Sequence, residues 1–119
     1  MFEFLKTIID YEIKDIEAKL SPTPGCLYGG IGEVELEVYS SGKANLECKI
    51  KHSGIPDGTE VNVVINGYIV DTLTMHGGRA QNHRTFSADA PTSPQAEVGN
   101  TVEMEINGQI CYRGTFYRD

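Results

Sequence analysis

The chain has no tryptophan, few other aromatic residues and only three cysteines, none of them in a C-x-x-C pair. No apolar run approaches the roughly 20 residues that a helix needs to cross a bilayer. Positive charge is scarce as well. Ten Lys and Arg stand against seventeen Asp and Glu, which gives a formal net charge of −7. This balance excludes nonspecific nucleic-acid binding, because phosphate contacts need a basic footprint, and it disfavours docking on an anionic membrane. The opening "MFEFLKTIIDYEIKDIEAKL" lacks both the basic start and the unbroken apolar stretch of a secretory signal. The expectation is a cytoplasmic protein in which Cys26, Cys48 and Cys111 are reduced thiols. One disulfide plus a free thiol is the alternative, and it would suggest export. Cys48 alternates in step with Ala44, Leu46 and Ile50, and so reads as a small buried residue.

A chain of 119 residues is one domain by length and can bury about two-thirds of its unfolded surface. Residues 1–20 read as an amphipathic helix. Leu5, Ile9, Ile13, Ile16 and Leu20 recur at steps of three and four, Phe2 and Ile8 widen the stripe, and Glu3, Lys6, Asp10, Lys14 and Glu17 form the polar side. The helix should stop at "SPTPG", where Pro22 and Pro24 cannot continue its hydrogen bonds. Residues 21–30 follow as a linker.

From residue 31 to 119 the period changes to two. Val34, Leu36 and Val38 alternate with Glu33, Glu35 and Glu37, and "SSGK" turns the chain into "ANLECKI". Two Asn-Gly turns, at 66–67 and 107–108, join further alternating runs, and Asn-Gly is the strongest short hairpin signal. The two hairpins resemble one another, a local solution used twice. These features predict an antiparallel β-sandwich of about seven strands, immunoglobulin-like or jelly-roll-like, carrying the N-terminal helix. One parity conflict stands out. A two-residue turn at Asn107-Gly108 sets Met104 opposite Cys111, whereas Ile110, Tyr112 and Phe116 carry the apolar bulk on the other face. Either a bulge or a covering helix resolves it, and helix cover is the preferred reading.

The candidate site is "MHGGRAQNHR". A tight turn at Gly77-Gly78 sets His76 against Arg79 and His83 across from Thr72, roughly 13 Å up the strand, too far for shared metal ligation. A longer loop would make His76 and His83 direct neighbours, with His52 or Asp57 as a third ligand. The tight turn is favoured because it pairs Met75 with Ala80 and Ile69 with Phe86. From Thr72 to Ala88 no acidic residue occurs, so His76, Arg79, His83 and Arg84 form a candidate patch for an anionic partner. The plainer reading pairs these arginines with Glu60 or Glu103. The segment 87–99 is a long connection stiffened by Pro91 and Pro94, which reads as a sheet-to-sheet crossover. Glu33, Glu35 and Glu37 are expected on an open face that cannot drive carboxyl pKa values apart. No phosphate loop, nucleophile elbow or zincin helix is present, and no cofactor is expected.

The stretches "GIPDGTEVNVVINGYIV" and "EVGNTVEMEINGQICYRGTF" resemble small bacterial β-sandwich modules with a G-x-P-D-G-T-x-V-x-V start, an N-G hairpin and a closing R-G-x-F. The resemblance covers about residues 30–117. It implies the sandwich fold and no catalytic residue. The function expected is a non-enzymatic binding or assembly module whose N-terminal helix packs on its own sheet or docks on a protein partner or a second copy. The alternative is a small metal-binding protein or metal-dependent enzyme using His76, His83 and His52.

Overall fold

A computed structural model of the chain describes residues 9–119. They form eight strands: β1 Glu12–Pro22, β2 Ile31–Tyr39, β3 Ala44–Lys51, β4 Glu60–Ile65, β5 Tyr68–Thr74, β6 Ala80–Phe86, β7 Thr101–Ile106 and β8 Gln109–Arg118. All neighbouring pairs are antiparallel, in the order β5-β4-β7-β8-β1-β2-β3-β6. The sheet curls into a barrel that falls short of closure only between β5 and β6, so the seven-stranded sandwich is corrected to a single, nearly closed sheet.

The helix is corrected too. Residues 12–20 lie in β1, between β2 and β8, and no helix occurs among the described residues; positions 1–8 of the predicted helix lie outside them. Ile16, Ala18 and Leu20 point inward and are buried, with Glu17 and Lys19 between them. That is a period of two. Ile13, central to the helical stripe, stands 59% exposed, as no amphipathic helix would leave it. The apolar spacing fits both periods over Ile16–Leu20, and two unsatisfied strand edges on β2 and β8 decide for the strand.

The parity conflict is settled by a bulge, not by helix cover. β8 carries Cys111 as an extra residue, so Met104 faces Tyr112 and Val102 faces Gly114. The β4–β5 hairpin bulges at the equivalent place, with Val70 as its extra residue. Both Asn-Gly turns have positive φ at both positions, 51° and 84° at 66–67 and 51° and 78° at 107–108. Tyr112 is fully buried, and its hydroxyl donates to Gly29 O at 2.7 Å. Gly114 packs against Lys19 O, where a Cβ would collide. This explains the glycine of the closing R-G-x-F.

The reduced-thiol expectation fails at two of the three cysteines. Cys26 and Cys111 form a disulfide with Cα atoms 4.7 Å apart, which ties the β1–β2 connection to the β8 bulge, and only Cys48 is free and buried. No helix among the described residues is long and apolar enough to cross a membrane. The 87–99 connection lies across one barrel end. Ala96 is buried there, its carbonyl accepting from Lys14 Nζ at 2.9 Å, and Asn66 Nδ2 donates to Gln95 O at 3.1 Å.

Candidate functional site

At the other end of the barrel, Gly77-Gly78 is the tight turn. His76 and Arg79 bridge across it, and both glycines have positive φ. Beyond that bridge β5 and β6 do not ladder, so the expected Met75–Ala80 and Ile69–Phe86 backbone pairs are replaced by pairing of β6 with β3. Of Ala80–Phe86 only Phe86 lies in the core.

Side chains bridge the resulting seam. Asn82 Nδ2 donates to both carboxylate oxygens of Asp71 at 3.0 Å, and Asp71 is only 7% exposed. Arg84 Nη1 donates to Val70 O at 2.7 Å, with the guanidinium 4.7 Å over the Phe86 ring. Above the seam, Tyr68 and Ile69 stand 76% and 60% exposed on β5. They border a cleft of about 410 Å³ against the 91–95 segment, lined also by Ile65, Val70 and Pro94. Sequence reasoning missed this cleft. Its two walls are about 25 residues apart, and only the alternation break at Tyr68-Ile69, two large apolar residues in succession, hints at it.

The sequence-predicted site residues divide. His76 and Arg79 share an open groove with His52, whereas Arg84 serves the seam and His83 sits opposite Glu47 on the outer face of β3 and β6. Neither arginine pairs with Glu60 or Glu103; Arg113 holds Glu103 at 2.8 Å. Among the described residues the groups with metal-ligand spacing are two carboxylate trios, Glu12–Asp15–Glu37 and Asp15–Glu35–Asp119, and neither contains a histidine. His76, His83 and His52 are not gathered as ligands.

Those trios correct the reading of an open acidic face. Asp15 lies opposite Glu37 and Glu17 opposite Glu35 across β1–β2, and Glu35 faces Glu47 on β3. Like charges so placed repel. Burial, followed by hydrogen bonding to the carboxyls of Asp15 and Asp119, raises the Glu35 pKa from 4.5 to about 8. Hydrogen bonding to Glu12, then burial, raises that of Glu37. Asp15 Oδ1 is buried without a hydrogen-bond partner, and a proton held on Glu35 can supply one. Asp15 went unrecognised because it was placed on a helix, and Asp119 because it reaches the cluster from the far end of the chain.

No protein-family model matches this sequence, and no curated protein matches it.

Proposed function

We propose that the protein is a non-enzymatic binding module that recognises an extended segment of a partner protein along the β5 edge. The observation that carries this reading is the coincidence of an unpaired strand edge with an apolar cleft. A peptide laid beside Tyr68–Val70 gains main-chain hydrogen bonds from β5, and one of its alternate side chains enters the cleft under Pro91 and Pro94. Arg84 occupies Val70 O while no peptide is bound, and a peptide N–H would take its place. The exposed Tyr68 and Ile69 supply the apolar contact area typical of a recognition surface.

A random linear peptide library selected against the full chain tests this reading. Enriched peptides should share an apolar anchor, and their titration into labelled protein should shift amides of residues 65–70 and 91–95. Ile69→Asp should abolish binding. Shifts confined to another face would sink the proposal.

The cysteines support a reading of the compartment. A Cys26–Cys111 bridge persists where thiols are oxidised, so we read the module as working outside a reducing cytoplasm. Mass spectrometry after alkylation of the unfolded, unreduced protein should find one free thiol, Cys48. Three alkylated thiols would restore the cytoplasmic reading.

A further inference from the structure

Positive charge is the scarcer kind in this chain, yet it collects at one place. An open groove of about 700 Å³ beside the Gly77-Gly78 turn is lined by Lys49, Lys51, His52, His76, Arg79 and Gln81, and no carboxylate lines it. Three of the ten Lys and Arg and two of the three His are therefore on its walls.

The walls are fixed with respect to each other. Ser53 N and Ser53 Oγ both donate to Gly78 O, at 3.1 and 3.0 Å, and Gly77 N donates to Asp57 Oδ1 at 2.8 Å. Gly58 N donates to Met75 O at 2.9 Å. A Cβ on Gly78 would run into Ser53 O, so the loop after β3 and the turn fit only with glycine there. His52 is held at a φ of 59°, a left-handed conformation that costs a non-glycine residue energy and persists only where its surroundings impose it.

The cations differ in how far they are already engaged. Lys49 lies 3.3 Å from Glu47, Lys51 3.3 Å from Glu33, and His76 Nδ1 3.6 Å from Asp57, so each of these three already has a carboxylate beside it. Arg79 is exposed and makes no ion pair among the described residues. Its planar guanidinium can grip two oxygens of one anion, while the lysines act as point charges around it.

We propose that this groove is an oxyanion site, separate from the β5 edge, that takes a carboxylate-, phosphate- or sulfate-bearing ligand with Arg79 as its anchor and Lys49 and Lys51 as supporting charges. No Phe or Tyr lines the groove, so the ligand is read chiefly through its charged group.

The test is a titration of inorganic phosphate, sulfate and citrate, each separately, into the isotope-labelled full chain at low and high NaCl. Saturable amide shifts confined to residues 49–53 and 76–81 are expected, weaker at high salt. The rank of the three probes tells which oxyanion fits. Arg79→Gln, at an exposed turn position, should weaken the best probe by about tenfold or more, as loss of a bidentate charged contact does. Lys51→Gln should weaken it less. Shifts that are linear, spread over the surface, or unchanged in Arg79→Gln would overturn the proposal, as would no shift at all.

Discussion

Gly114 shows how much one residue can carry here. β8 crosses so close to β1 that Lys19 O occupies the space of a side chain at position 114, and the ladder between the two strands is interrupted there. Gly114→Ala should therefore destabilise the protein by about 1–3 kcal/mol, the range for forced overpacking, as read from the urea midpoint. An unchanged midpoint would mean that β1 and β8 can move apart freely. Arg84 is a second such residue. Its bond to Val70 O is charge-assisted, so Arg84→Ala should cost about 1–3 kcal/mol while improving capture of peptides selected for the β5 edge, because the carbonyl is left open. Weaker capture by this variant would place Arg84 in direct contact with the peptide and count against the displacement step.

Among the elements, β2 to β8 were largely legible in the sequence, and β1 was not. Alternation over Val34–Val38 and Ala44–Ile50, with the two Asn-Gly turns, specifies pleated hairpins by local chemistry alone. Over Ile16–Leu20 the apolar residues satisfy a helical and a pleated period together, so the choice rests on distant partners, Gly32–Tyr39 and Tyr112–Arg118. The carboxyl cluster was hidden for the same reason, since Asp15, Glu35 and Asp119 meet only once β1 is a strand. That cluster makes the fold sensitive to pH. The unfolded chain releases the Glu35 proton near 4.5 and the folded chain holds it to about 8, so the folded state binds more protons between those values. Its favourable contribution is complete below about 4.5 and is lost as pH rises through about 8. Thermal midpoints should accordingly fall from pH 5 to pH 9, by less in Glu35→Gln, which stays neutral throughout; equal slopes would remove Glu35 from the account.

The molecule as a whole is a sheet that meets itself with one seam unzipped. Strand order was not legible in the sequence, because the pairs that build the barrel, β4–β7, β8–β1 and β3–β6, join segments far apart in the chain. The Cys26–Cys111 bridge spans 85 residues, and closing so long a loop stabilises the fold by about 2–5 kcal/mol, so reduction should lower the urea midpoint. The two proposed binding surfaces lie at opposite ends of the barrel, the apolar cleft by Tyr68 and the cationic groove by Arg79. Amide hydrogen exchange, followed residue by residue with and without a selected peptide, tests the central claim most directly. Amides of Ile16–Leu20 should exchange slowly in both states, while the outward amides of Tyr68–Val70 exchange fast in the free protein and slow when peptide is bound. Fast exchange across β1, or a β5 edge already protected without peptide and unchanged with it, would contradict both the barrel and its open edge.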